Sequence, residues 1–249
     1  EPTPQEWMTA IEWLTRTGHL CTGKRQEFIL ASDVFAVSML IDAINNRRPS
    51  GATPTTVEGP FHLPDSPERA NGANMADGCP GIPLVVAGSV RSTDGKPIAG
   101  ATLDVWQTDG DGLYEAQRDV TEPWMRALYH SAADGSFVVR TVAPIGYTIP
   151  MDGTVGELMR RTDISHMRPA HIHFHLQAPG YHPVITHLFQ AGDQYLDTDV
   201  VFGVKQPLIV GFEEQKPGKA PNGEVIDRPW YLVRYDFVLE RAAAAAAAA

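Results

Sequence analysis

The stretch Arg168-Pro169-Ala170-His171-Ile172-His173-Phe174-His175-Leu176 places three imidazoles at alternate positions just after an arginine. A β-strand points successive side chains to opposite faces. With Ile172, Phe174 and Leu176 as the apolar partners, the run reads as a strand that carries His171, His173 and His175 on one face. Histidine is the commonest side-chain metal ligand, and two at i and i+2 can converge on one ion. A polar strand face without a metal is the plain alternative, although three crowded imidazoles repel one another once protonated.

The remaining ligands decide which metal such a pair would hold. Zinc with three histidines would take His175 or His187 as the third and lower the pKa of a bound water to about 7. Ferrous iron of the facial-triad type would need a carboxylate, for which Glu58 and Asp193 are the candidates. Neither reading uses the tyrosines. Tyr114 follows the turn Asp109-Gly110-Asp111-Gly112-Leu113, and Tyr147 follows Pro144-Ile145-Gly146, so both stand at strand ends where glycine lets backbone come close to a site. Tyrosinate is a hard, strongly donating ligand that favours the ferric over the ferrous state. Two phenolates with two imidazoles would therefore specify Fe(III). On residues alone the zinc, ferrous and ferric readings all stay open.

These residues need a scaffold. Trp7, Met8, Ile11 and Leu14 recur at helical spacing and predict an amphipathic helix over residues 5–18, started by Thr3-Pro4 and stopped at Gly18. A second helix is predicted from about Lys24 to Asn46, with an apolar face of Phe28, Leu30, Val34, Val37, Leu40, Ile41 and Ile44, ended by Asn45, Asn46, Pro49 and Gly51. Beyond it, proline and glycine punctuate short alternating runs, the texture of a β-sandwich or barrel. Strands are predicted at 84–91, 101–108, 136–142, 170–177, 184–189 and 231–239, with a short helix at 154–160 and an exposed loop at 216–223. The expected fold is mainly β: a small N-terminal helical part, residues 1–48, ahead of a β-sandwich core, residues 49–241. A wide apolar face on terminal helices usually packs against another subunit, which predicts a homodimer. The eight alanines at 242–249 read as an artefact without function.

Composition narrows the function classes. With 20 Lys+Arg against 30 Asp+Glu in 249 residues, a net charge of -10 argues against a nucleic-acid or anionic-membrane partner. Cys21 and Cys79 are the only cysteines and lie far apart, so neither a disulfide scaffold nor a thiolate metal site is expected. No apolar run nears the roughly 20 residues of a membrane span, and Glu1-Pro2-Thr3-Pro4 lacks the pattern of a signal peptide. A cytoplasmic setting is expected, and without an initiator methionine Glu1 need not be the true N-terminus.

Taken together, Val57-Glu58-Gly59-Pro60-Phe61-His62, Gly112-Leu113-Tyr114, Pro144-Ile145-Gly146-Tyr147, Arg168-Pro169-Ala170-His171-Ile172-His173 and Ala191-Gly192-Asp193 resemble the intradiol ring-cleaving dioxygenases. The resemblance spans nearly the whole chain to about residue 240. Within the family the sequence is most like hydroxyquinol 1,2-dioxygenases, on Arg25 to Asp33, Tyr147-Thr148-Ile149-Pro150 and Thr186-His187; catechol-specific relatives tend to carry glutamine where His187 stands.

The resemblance implies one non-haem Fe(III) held by Tyr114, Tyr147, His171 and His173, and cleavage of an aromatic diol or triol by O₂ between its hydroxyl-bearing carbons. From hydroxyquinol the product would be 3-hydroxy-cis,cis-muconate, the enol form of maleylacetate. It also implies that Tyr147 takes up substrate protons and that Arg168 stabilises charge on the ring. Leu30, Asp33, Val57, Glu58, Gly59, Pro60, Phe61, Ile149, Pro150, Arg168, His187 and Val201 become the substrate-pocket candidates. Two positions depart from the family pattern: Glu58 stands where an apolar residue is expected, and His175 adds an imidazole to a ligand set already complete. His62, His130, His166 and His182 receive no role, and Trp106, Trp124 and Trp230 read as core or interface. Relatives often hold a phospholipid at the dimer interface. The alternatives carried forward are catechol or chlorocatechol cleavage, a zinc hydrolase, and a metal-free β-sandwich binding module suggested by the Asp94-Gly95-Lys96-Pro97 hairpin.

Overall fold

The computed structural model describes residues 1–48 and 51–242. Pro49 and Ser50, where the two expected parts meet, and the alanines after Ala242 lie outside them. Three helices come first: α1 (Pro4–Leu20), α2 (Glu27–Val34) and α3 (Val37–Asn45). Then follow β1 (Pro83–Ser92), β2 (Thr102–Trp106), β3 (Arg126–His130), β4 (Ser136–Val142), β5 (Tyr147–Thr148), α4 (Thr154–Met159), β6 (Met167–Arg168), β7 (His171–Gln177) and β8 (Val184–Gln190). The chain closes with β9 (Ile209–Val210), β10 (Glu213–Gln215), β11 (Gly218–Lys219), β12 (Val225–Ile226), β13 (Trp230–Arg234) and β14 (Phe237–Leu239).

The strands form two five-stranded sheets. One runs β3-β2-β7-β8-β9; the other runs β10-β13-β1-β14, with β4 also paired to β1. Period-two alternation builds the layer between them. Ile172, Phe174 and Leu176 of β7 meet Leu103 and Val105 of β2, Val86 and Val90 of β1, Val139 of β4, and Phe237 of β14 in one fully buried cluster. The histidines of β7 are thereby left on the opposite face, toward the helices and loops. Burying each large apolar side chain there contributes roughly 1.5–3 kcal/mol, so the register of β7 is strongly fixed.

Helix α1 begins at a reciprocal cap. The Thr3 hydroxyl accepts from the Glu6 backbone at 3.2 Å, and the Glu6 carboxylate accepts from the Thr3 backbone at 2.7 Å. It does not stop at Gly18 but runs on to Leu20. A Cβ at Gly18 would come within 3.3 Å of the Phe28 ring, so this glycine serves close packing against α2 rather than termination. The predicted second helix is two helices, broken at Phe35-Ala36, where Ala36 takes a left-handed conformation with φ 59°. The break lets α2 bury Leu30, Ala31 and Asp33, the first two against α4 and the loops that carry Val57, Ile149 and Val201, while α3 turns Leu40, Ile41 and Ile44 outward.

The last predicted strand is likewise two, β13 and β14, which pair parallel with successive stretches of β1 in one continuous register, Leu84 opposite Tyr231 and Val90 opposite Phe237. Between them Asp236 accepts from the backbone and hydroxyl of Ser89, at 2.8 and 2.7 Å. Strand β3 was not among the predicted elements, and part of the expected loop at 216–223 pairs as the β11–β12 ribbon. Among the described residues no helix is long and apolar enough to cross a membrane.

Candidate metal centre and substrate cleft

Four polar groups from three segments converge over the outer face of β7. His171 and His173 sit two apart on the strand, 1% and 2% exposed. Their Nε2 atoms are 3.1 Å apart. The Tyr114 hydroxyl lies 3.3 Å from His171 Nε2 and 2.9 Å from His173 Nε2, and the Tyr147 hydroxyl lies 3.2 Å from that of Tyr114.

Each is placed by its local sequence. Tyr114 leaves a turn organised by the buried Asp109 carboxylate, which accepts from the backbone of Asp111 and Leu113 and from the Arg118 side chain. Gly112 in that turn has φ 83°, and a Cβ there would lie 3.3 Å from Tyr147 Cβ, so glycine permits the two tyrosine segments to approach. Tyr147 is registered on β5 directly opposite Arg168 on β6.

After Pro169 the chain changes direction into β7, which is why Arg168 reaches the same site as the histidines. Its Nη1 stands 3.0 Å from His171 Nε2, while Nε donates to Asp199 Oδ1 at 3.0 Å and Nη2 to Oδ2 at 3.4 Å. Burial works against the guanidinium charge, but Asp199 and the two phenols outweigh it, so Arg168 stays cationic.

The hydrogen bonds fix which nitrogens face the centre. His171 Nδ1–H donates to the Pro169 carbonyl at 2.7 Å, leaving the Nε2 lone pair directed inward. His173 Nδ1 is 2.8 Å from His187 Nε2 on β8, its register partner. Burial, reinforced by Arg168 for His171 and by His187 and His171 for His173, holds both imidazoles neutral, well below the usual histidine range. Burial likewise raises both phenols, Tyr114 strongly, with Tyr147 adding to it.

Two imidazole nitrogens and two phenol oxygens gathered in one buried cluster, with the imidazoles neutral, make a donor set suited to a cation. Ligand atoms about 2.0–2.1 Å from one ion stand roughly 3 Å apart when adjacent, which matches these spacings. The buried cluster fits a non-haem iron site. His187 also lies near His171 and His173. It approaches the far nitrogen of His173, however, so it stands behind that imidazole and apart from the nitrogen that meets Tyr114.

A family model described as "Dioxygenase" matches residues 57–241, and one described as "Catechol dioxygenase N terminus" matches residues 1–53. The chain belongs to the intradiol ring-cleavage dioxygenase family. Membership sets aside the binding-module alternative.

The dioxygenase is 45% identical over 238 residues to a 6-chlorohydroxyquinol 1,2-dioxygenase of Cupriavidus pinatubonensis, covering 95% of this chain and 82% of that one. A solved hydroxyquinol 1,2-dioxygenase from Pseudomonas putida DLL-E4 superimposes with TM-score 0.86 at 46% identity, over 96% of this chain and 85% of that one. A catechol 1,2-dioxygenase from Pseudomonas arvilla C-1 gives TM-score 0.88 at 28% identity, over 99% and 81%. Backbone shape is thus common to both kinds of relative, and sequence separates them.

In this dioxygenase a cleft of about 760 Å³ opens beside the cluster, lined by Leu30, Pro60, Phe61, Tyr147, Ile149 and Pro150 among others. Val57 and Val201 do not line it; they pack with Leu30 and Ile149 in the apolar cluster behind its wall. Phe61 stacks on the Tyr114 ring at 4.4 Å. Gly59 lies against His173, where a Cβ would be 3.4 Å from Cε1. Glu58 is 43% exposed and turns to His62 instead of into the cleft. His187 is buried behind His173 and faces no open space.

Asp33 on α2 is 1% exposed, and neither carboxylate oxygen has a hydrogen-bond partner. Burial pushes its pKa up to about 6. Ser38, already hydrogen-bonded to Ser32 at 2.8 Å, and the charge of Arg168 restrain the shift without satisfying it.

Sequence reasoning missed Asp199, which anchors Arg168, and Trp106, which stacks on His173 at 4.6 Å. Asp199 sits 31 residues from Arg168 with no local signal. Trp106 was readable only through the β2–β7 register that sets it opposite His173.

Proposed function

We propose that this protein cleaves hydroxyquinol (1,2,4-trihydroxybenzene) with O₂ between its adjacent hydroxyl-bearing carbons, giving 3-hydroxy-cis,cis-muconate, and that its metal is Fe(III). The observation that carries the reading is the convergence of the Tyr114 and Tyr147 phenols with the His171 and His173 imidazoles, all buried. Two phenolates and two imidazoles favour the ferric state. Bound there, Fe(III) supplies a Lewis acid that acidifies a coordinated diol and draws electron density from the ring.

The chain's own residues do the rest. Tyr147 Oη takes up a proton from the incoming diol. Arg168, immobilised by Asp199, sets a fixed positive charge against the negative charge that develops on the ring, where exclusion of water makes it strongest. Leu30, Pro60, Phe61, Ile149 and Pro150 provide the apolar walls that an aromatic ring requires. Val57 and Val201 support those walls, and Gly59 leaves room beside His173.

The choice of hydroxyquinol over catechol is supported by the relatives at 45% and 46% identity that are named for hydroxyquinols, against 28% for the catechol enzyme. It is also supported by Asp33, a buried unpartnered acceptor one helical turn from the cleft-lining Leu30 on α2, which a third hydroxyl reaching past that wall can satisfy. The working unit is proposed to be a homodimer that pairs through the N-terminal helices.

The test is oxygen uptake and ultraviolet detection of ring-opened product from iron-loaded protein given hydroxyquinol or catechol. Faster turnover of hydroxyquinol and a red-brown to purple tyrosinate–Fe(III) colour are expected. Faster turnover of catechol would overturn the substrate. Colourless protein without bound iron, or full activity in Tyr147→Phe, would overturn the metal centre.

A further inference from the structure

The geometry points to a second cation site, distinct from the tyrosine–histidine centre, formed by Glu58, His62 and His175 with Asp104 behind His62, and suited to a divalent transition ion of the zinc type. One ligand atom from each of Glu58, His62 and His175 lies within 4.8 Å of the others. The three come from two places that the fold joins. Glu58 and His62 flank the loop that carries Gly59, Pro60 and Phe61, and His175 stands on β7 in register with Asp104 of β2.

His62 is oriented as a ligand needs to be. Its Nε2 lies 3.0 Å from Asp104 Oδ2 and its Nδ1 lies 3.4 Å from Glu58 Oε1. With the carboxylate of Asp104 accepting the Nε2 proton, the Nδ1 lone pair is free and aimed toward Glu58. This carboxylate–histidine pairing is the arrangement that fixes metal-binding imidazoles elsewhere. Two imidazoles and a carboxylate, with room left for water, suit zinc and its neighbours.

A second, independent observation is a buried acceptor that nothing satisfies. Asp104 Oδ1 is buried and has no hydrogen-bond partner. The nearby cation, Arg126, is committed to Glu115 at 2.7 Å. Asp104 and Glu58 thus set two carboxylates around His62, which offsets at most one of them when protonated, whereas a dication held by neutral imidazoles offsets both. A competing contact is Gln177 Nε2, 3.1 Å from His175 Nε2.

The site is separate from the first centre. Trp106 stands between them, stacked on His173 at 4.6 Å on one side and meeting the His62 ring edge-on at 4.6 Å on the other. Glu58 and His175, left without a role by the first centre, meet at this one point. A cation there ties the loop bearing Pro60 and Phe61 to β7, beside the cleft that those two residues line.

The test uses iron-loaded protein equilibrated with zinc chloride, with iron and zinc both measured after gel filtration. One zinc per chain beyond the iron, an unchanged tyrosinate–iron absorption band and a rise in Tm with zinc are expected. Both His62→Ala and His175→Ala should lose the extra zinc and the Tm response while keeping their iron. Because His62 lies on a loop outside the sheets, its variant keeps the test valid if His175→Ala folds poorly. Absence of zinc beyond iron, zinc gained only as iron is lost, or zinc retained by the His62 variant would each overturn the site. None of these outcomes depends on which diol the enzyme cleaves.

Discussion

A carboxylate that is buried, unpartnered and close to a fixed arginine costs stability unless a ligand satisfies it, and Asp33 is such a group. Its folded pKa of about 6 lies above the ordinary 3.8. The stability it permits is therefore fully present below the unfolded value and is lost as pH rises through the folded one. Across about two units this amounts to roughly 3 kcal/mol above pH ~6. Asp33→Asn should raise urea-unfolding stability at about pH 8 by up to that amount, the gain shrinking as pH falls from about 6 to about 4; an equal gain at all pH would refute it. The same variant should lower kcat/KM for hydroxyquinol by about 10- to 100-fold, as expected for losing one charge-assisted hydrogen bond, and leave catechol turnover nearly unchanged. His187 acts through His173. A cation on His173 Nε2 requires the proton on Nδ1, which then donates to His187 Nε2. Removing that acceptor in His187→Leu should weaken iron retention against a chelator by about 10- to 100-fold, while His187→Gln, whose amide oxygen can accept, restores it. Equal retention in the leucine variant would refute the role. Of these residues, His171 and His173 were legible because period two writes a shared strand face directly into the sequence. The bond from His187 was not, because it depends on the β7–β8 register. Glu58 read as a pocket residue because sequence order cannot reveal that its side chain turns away to His62.

Helix α2 positions Leu30 and Asp33, and it is held by one buried charge at its first residue. Glu27 accepts from Arg25 at 2.9 Å and from the backbone of Val155 at 3.0 Å, tying α2 to the start of α4. Gly153 is required there, since a Cβ would stand 2.2 Å from the Glu27 carboxylate. Glu27→Ala leaves Arg25 with Asp152 as its partner but strands the buried Val155 amide, a change that costs about 1–3 kcal/mol for an unsatisfied buried donor. We expect a matching loss in urea unfolding, together with a raised KM for the diol and unchanged iron content, because α2 forms the cleft wall and carries no metal ligand. Lost iron with an unchanged KM would show that α2 braces the metal instead. Elements built on strong periodicity, such as the strands at 136–142 and 184–190, were legible nearly to the residue. Those that break without punctuation were not. Ala36 turns left-handed with neither glycine nor proline to announce it, and β13 passes into β14 because Tyr235 and Asp236 make tertiary contacts with β1. Local propensity continues through such points, and only packing against distant segments interrupts it.

The helical end of the molecule presents a surface that a lone chain has little reason to keep. Trp7, Ile11, Leu14, Phe35, Val37, Leu40, Ile41 and Ile44 are all exposed, Leu40 at 60%, while the sheets bury their own apolar residues almost completely. Contiguous apolar surface beyond a few hundred Å² marks an interaction site, and a two-fold dimer covers one such patch with its own copy. A stable interface of this kind hides about 800 Å² on each partner, within reach of three helices contributing large side chains. We expect a dimer by light scattering at micromolar concentration. The double variant Leu40→Glu, Ile41→Glu places two charges on each side of the interface and should give a monomer that keeps its iron colour, since α3 lies outside the metal centre. Native mass spectrometry of the wild type distinguishes protein alone from protein with a phospholipid chain filling part of the surface, which would appear as added mass lost on solvent extraction. A wild-type monomer would mean that the exposed apolar side chains serve another partner. A dimer that persists in the double variant would place the interface elsewhere.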